Sequence, residues 1–199
     1  MNYSEDGLAE ELPQQKFACG LDETWLGVTI HDMGFLNVLL RAHPDWSTVL
    51  ELGTSNGVTA LLLGLAMRCR SGELVTFDRA DYRPYAVRLG WLDNMRHHVC
   101  DLLSGPPYEG VAAEIARSAA CLLLCDNGNK PEEIIRYAPL LRPGDGLVVH
   151  DWRPVYRAGV EMSPEQVPAF ITEHPETWVP EQWDVASLIG TGFRAWVRR

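Results

Sequence analysis

Ionisable residues close one apolar run after another along this sequence. Glu51 lies inside Thr48–Leu52, Asp78 follows Leu74–Phe77, Asp101 follows His97–Cys100, Asp126 follows Ala120–Cys125, and His150-Asp151 follows Leu147–Val149. A carboxylate is costly to bury without a partner. A row of them along one sheet edge is easier to explain by a cationic, hydroxyl-rich ligand, or by a metal ion, than by packing. Lys130 follows Asp126 by four positions. His150 adds a group whose ordinary pKa of about 6.5 suits proton transfer near neutral pH.

The most specific local pattern is Glu51-Leu52-Gly53-Thr54-Ser55-Asn56-Gly57. A strand ends, glycines turn the chain, and a helix begins. Glycine lets a ligand lie close against the backbone. Ser55 stands where a dinucleotide fingerprint needs its second glycine, and no Gly-Lys-Ser/Thr of a P-loop follows. Glu51 would repel a pyrophosphate but suits an ammonium group. Asp78 falls 21 residues after Gly57, the spacing at which an acid can receive ribose hydroxyls. Asp78 and Asp101 are alternatively turn or cap residues.

These groups need a scaffold that brings strand ends together. Asp32 is expected to cap a helix running to Ala42. Helical spacing also covers Gly57–Arg70, Asp81–Met95, Glu109–Ser118 and Pro131–Leu141. Between them lie five short strands, apolar without alternation except for the weak His97–Cys100. That pattern belongs to parallel strands covered on both faces. Trp183–Leu188 and Gly192–Val197 are expected to pair as a terminal antiparallel hairpin. The predicted fold is therefore α/β, a Rossmann-like doubly wound and mostly parallel sheet in one domain. Residues 1–46 form an arm and helix. Residues 153–182, with Pro154, Pro164, Pro168, Pro175 and Pro180, form a substrate cover. In such sheets ligands bind beyond the carboxyl ends of the strands.

Val49–Leu62, VLELGTSNGVTALL, resembles motif I of class I S-adenosylmethionine-dependent methyltransferases. Its Glu-x-Gly-Thr-x-x-Gly form, followed by Thr-Ala-Leu, is similar to the small-molecule O-methyltransferases related to catechol O-methyltransferase. The resemblance implies S-adenosylmethionine bound across Glu51, Gly53, Thr54, Ser55 and Gly57. It places Asp78 at the ribose, Asp101 near the adenine amino group and Asp126 beside the cofactor. In metal-dependent members, an Asp ending strand four and an Asp-Asn pair ending strand five hold a divalent cation. Asp126 and Asp151 match, but Trp152 replaces the Asn and Lys130 falls one residue late. Two arrangements follow. Either Asp126, His150 and Asp151 hold magnesium, manganese or iron, imidazole favouring the transition metals, or no metal binds and His150 or Lys130, with Asp126, performs the proton transfer. His31, Asp32, Trp152 and Tyr156 are candidates for the acceptor pocket.

The 199 residues carry a net charge of −10, which disfavours nucleic acid as a partner. A small-molecule acceptor and a homo-oligomer are compatible with it. No apolar run reaches membrane-spanning length; the longest, Ala60–Met67, contains Gly64. The acidic, polar start lacks the features of a signal peptide, so the expected location is cytoplasmic. The five cysteines (19, 69, 100, 121 and 125) include no Cys-x-x-Cys; Cys121 and Cys125 read as packed thiols. The expected activity is methyl transfer to a small molecule, first of all to a hydroxyl. Other readings are a non-methylating relative such as a cephalosporin-hydroxylase-like enzyme, and a non-catalytic S-adenosylmethionine-binding protein.

Overall fold

A computed structural model describes residues 30–55, 57–80, 92–150, 167–181 and 193–199, with Ile30 and His31 by backbone alone. In chain order the elements are α1 (Ile30–Ala42), β1 (Thr48–Leu52), α2 (Val58–Cys69), β2 (Glu73–Asp78), β3 (Met95–Val99), α3 (Glu109–Arg117), β4 (Cys121–Cys125) and α4 (Lys130–Tyr137). A 3-10 turn (Ala138–Leu140) leads to β5 (Gly146–Val149), and α5 (Ala169–Thr172), β6 (Trp178–Pro180) and β7 (Arg194–Arg198) complete the set. The strands form one seven-stranded sheet in the order β3-β2-β1-β4-β5-β7-β6. The first five are parallel, and β7 runs antiparallel between β5 and β6.

The apolar strands divide residue by residue between the two faces. Val49, Leu74, Leu122, Leu124, Val148 and Ala195 pack with α1 and α2. Leu50, Val75, Leu123, Leu147 and Trp196 pack with α3, α4 and α5. Both faces are covered, so no polar alternation is needed, and the central strands are buried throughout.

The amino-terminal edge of the sheet is pinned by structural groups. Trp46 lies under β5, donating Nε1–H to the Gly144 carbonyl at 2.8 Å. Its ring would stand 2.4 Å from a Cβ at Gly146, so glycine is required there. Asp145 receives the Cys121 and Arg142 amides at 2.9 and 2.7 Å. Glu114 accepts both guanidinium arms of Arg96 at 2.6 and 2.7 Å. Arg117 joins the same carboxylate, and Glu73 bridges the two arginines, tying α3 to β2 and β3.

Several expectations change. Asp32 lies inside the first turn of α1, not at its cap, and is buried. Leu92-Asp93-Asn94 is a turn and Met95 already belongs to β3, so the helix expected through Met95 does not reach it; residues 81–91 lie outside the described set. The described antiparallel partners of β7 are β5 and Trp178–Pro180; the expected strand at 183–188 lies outside the described residues. Of the expected cover, 167–181 is described, and there Val167, Ile171 and Trp178 are built into the core. Among the described residues no helix is long and apolar enough to cross a membrane.

Candidate functional site

Backbone hydrogen bonds lace the strand tips together just beyond the ladders. Gly53 N–H donates to Phe77 O, Asp126 N–H to Leu52 O, His150 N–H to Cys125 O and Cys100 N–H to Asp78 O, at 2.7–3.1 Å. The tips of β1 to β5 therefore form one rigid edge, carrying Glu51, Asp78, Asp126 and His150 side by side.

The loop from β1 to α2 has three described residues of special backbone. Gly53, Ser55 and Gly57 have φ of 103°, 45° and 78°, the left-handed region that favours glycine. At Gly53 a Cβ would fall 2.6 Å from the Asp126 carbonyl oxygen. Glycine there lets the β1 and β4 tips approach each other. Gly57 precedes α2, whose first turn has no side-chain cap and no acidic residue. Asn56 lies outside the described residues.

Asp78 is buried at the tip of β2. Its Oδ2 accepts the Ser55 N–H at 2.9 Å and its Oδ1 the Ala80 N–H at 3.3 Å. Asp78 thereby fixes the loop above it. A carboxylate offers about four acceptor sites, so capacity remains for a ligand diol. Thr54 turns its hydroxyl into the sheet, 2.5 Å from Thr76 Oγ1 and 3.3 Å from His97 Nδ1. Asp101 is exposed, and its Oδ1 accepts the Leu103 and Ser104 amides at 3.0 and 3.1 Å. Those bonds hold its carboxyl below the usual range and make it a turn-former. Tyr137 secures the far end of that turn, donating to Leu102 O at 2.9 Å and accepting from Tyr108 N–H at 3.2 Å.

Glu51 is completely buried, and among the described residues neither carboxylate oxygen has a hydrogen-bond partner. Burial drives its pKa well above the usual range; Asp126 and Asp78 add to the rise and Thr76 opposes it. The orphaned acid fits a site that takes a cation. With the glycine loop and the spare acceptors of Asp78, it passes the test for a ligand with a positive charge and a ribose diol.

At the β4 and β5 tips, His150 Nδ1 lies 2.9 Å from Asp126 Oδ1. Lys130 Nζ stands 3.8 Å from the same oxygen. Asn129 starts α4, its Oδ1 accepting the Glu132 N–H at 3.3 Å, and this orients Lys130 in the first turn back toward the tip. The His150 ring lies 4.4 Å from Phe193, which stacks on Phe35 of α1 at 5.9 Å. Two of the three expected metal ligands thus face each other as donor and acceptor, with a lysine ammonium beside them. Among the described residues no group of three or more His, Cys, Asp or Glu side chains is arranged to hold an ion. Asp151, Trp152 and Tyr156 lie outside the described residues, as does the His31 side chain.

Glu133, Thr76, His97 and Phe193 complete the site and were not foreseen. Glu133 is buried beneath the β4 tip and its Oε2 accepts the Asn127 N–H at 3.3 Å. Burial pushes its pKa up to about 8, against the pull of the Asn127 amide and the Lys130 charge. Its place three residues beyond Lys130, on the same helical face, was the available signal. Cys121 and Cys125 are packed thiols, and burial raises the pKa of both.

The sequence matches no family model and no curated protein. The fold does have relatives among solved structures. One, assigned as a caffeoyl-CoA O-methyltransferase from Staphylococcus aureus, superposes with a TM-score of 0.60 at 13% identity, covering 100% of this chain and 93% of that one. Another, assigned as an O-methyltransferase from Klebsiella pneumoniae, gives 0.60 at 17% identity over 96% of this chain and 90% of that one. A structure of CmcI with Mg and SAM gives 0.57 at 15% identity over 86% and 73%. The fold is the Rossmann-like fold of class I methyltransferases.

Proposed function

We propose that this protein is an S-adenosylmethionine-dependent methyltransferase acting on a hydroxyl of a small molecule. The observation that carries the reading is the Asp78–Ser55 clamp, which presents a buried carboxylate with spare acceptors directly under a glycine loop. Asp78 would hold the ribose diol, and residues 53–57 would line the methionine moiety. The cofactor supplies an electrophilic methyl group on a sulfonium. The fold relatives assigned as O-methyltransferases support the reaction class, and the net charge of −10 argues against a nucleic-acid acceptor. Free thiols among the described cysteines accord with a cytoplasmic setting.

The protein's own part is alignment and proton removal. Orientation alone can contribute about 7–11 kcal/mol. Asp126 receives the Nδ1 proton of His150, which fixes the tautomer and leaves Nε2 as the basic nitrogen. His150 Nε2 would accept the acceptor's hydroxyl proton as the methyl group is transferred. Lys130 Nζ, 3.8 Å from Asp126 Oδ1, places a positive charge beside the pair. The His150–Asp126 pairing supports base catalysis, and no step here runs through an ion.

The test is transfer of labelled methyl from S-adenosylmethionine to a panel of hydroxylated metabolites, with and without chelator. Transfer that survives chelation supports the reading. Retention of cofactor without transfer to any acceptor supports a binding protein instead. Transfer that chelator abolishes and magnesium, manganese or iron restores would reinstate the metal.

A further inference from the structure

Glu51, Thr76 and His97 occupy one level of the sheet. They are register partners across β1, β2 and β3. They share parity with Val49, Leu74 and Met95, which places them on the face covered by α1 and α2. Thr54 drops from the ligand loop onto this row and bridges Thr76 and His97. At the head of the row stands the one carboxylate of the edge that is fully buried and without a hydrogen-bond partner among the described residues.

An ionised Glu51 in that position would be an unpaired charge away from water, which is strongly unfavourable. Among the described residues its charged neighbours do not balance it. From β2 comes Asp78 and from the β4 tip Asp126, both acids. The first turn of α2, Val58–Leu61, contributes no charged side chain. From β3 comes His97, through Thr54. None of these is a lysine or an arginine. A cation seated on the loop would reverse that balance.

We infer that Glu51 is the charge-selecting residue of this loop, a neutral acid beneath the empty site that loses its proton when a cationic ligand is seated above it. The acid O–H bond breaks, the carboxylate keeps the electron pair, and the proton leaves to solvent. The inference rests on the cofactor site proposed above and adds to it a proton linkage and a preference. A sulfonium ligand carries one more positive charge than its demethylated thioether, so it draws more proton from Glu51. Product is then held less firmly than substrate through this residue.

The experiment is calorimetric titration of S-adenosylmethionine and of S-adenosylhomocysteine into the full-length protein near neutral pH, in two buffers of different ionisation enthalpy. Binding of S-adenosylmethionine is expected to release roughly 0.5–1 proton, and its affinity to tighten with rising pH by up to about tenfold per pH unit. S-adenosylhomocysteine is expected to release fewer. A folded Glu51→Gln protein is expected to bind with no buffer dependence. Binding to wild type with buffer-independent enthalpy overturns the inference while leaving the cofactor site standing. Proton release that persists in folded Glu51→Gln also overturns it. No binding of either ligand overturns both. Should Glu51→Gln fail to fold, the wild-type affinity series against pH decides, and a flat series refutes the linkage.

Discussion

His150 Nδ1 and Asp126 Oδ1 are 2.9 Å apart across the neighbouring tips of β5 and β4. The pairing gives the histidine one defined tautomer and a fixed ring plane. Replacing Asp126 by Asn keeps the shape but lets an amide N–H face Nδ1, which favours the other tautomer. A fall in kcat of about 10²–10⁴ is expected with the S-adenosylmethionine dissociation constant little changed, as when a general base is mispositioned. Steady-state kinetics beside calorimetry separates the two quantities. Turnover equal to wild type would remove Asp126 from the proton-transfer machinery.

Asp78→Ala removes both the clamp on Ser55 and the proposed ribose contact. Cofactor affinity is expected to drop by about 1.5–3 kcal/mol, the range for charge-assisted hydrogen bonds. Calorimetry on folded protein checks this. Unchanged affinity would place the ribose elsewhere.

Gly53→Ala brings two penalties at once. The φ of 103° is hostile to a side chain, and the added Cβ would press on the Asp126 carbonyl at 2.6 Å. A destabilisation of about 2–4 kcal/mol is expected from backbone strain and overpacking, read from denaturant unfolding. Gly144→Ala is the control, because it shares a positive φ of 94° but meets nothing within 4 Å; its loss should be the smaller.

Glu133 makes stability depend on pH. Its folded pKa of about 8 lies above its ordinary value of 4.5, so the folded state binds the extra proton between those limits. Its contribution is fully present below about pH 4.5, declines as pH rises, and is gone above about 8. Glu133→Gln should therefore flatten the fall in melting temperature over that window. Each tenfold difference in proton affinity corresponds to about 1.4 kcal/mol, so the gain at pH 8 is a few kcal/mol at most. Identical pH profiles for the two proteins would contradict this account of Glu133.

The sheet was legible because most of its parallel strands are short, continuous apolar runs with an ionisable residue at or beside the end. β1 was read at its observed limits, Thr48–Leu52, and β4 and β5 to within a residue. The strand opposite β7 was not, because Trp178–Pro180 is only three residues long and ends on a proline. Asp32 reads as a cap because Asp commonly starts a helix, yet α1 includes it. The Glu51–Gly57 loop and Asp78 were readable from spacing, whereas the Glu51–Thr76–His97 row depends on strand register. Glycine at 53 was recognised, but the atom it avoids belongs to Asp126, 73 residues away. Long-range contacts of that kind leave no local pattern.

The most direct measurement of the central claim is single-turnover methyl transfer by His150→Ala, with S-adenosylmethionine affinity determined on the same preparation and chelator present throughout. The account predicts cofactor affinity within about twofold of wild type and transfer slowed by about 10²–10⁴, the usual range for loss of a general base. Transfer at the wild-type rate in that variant would contradict it.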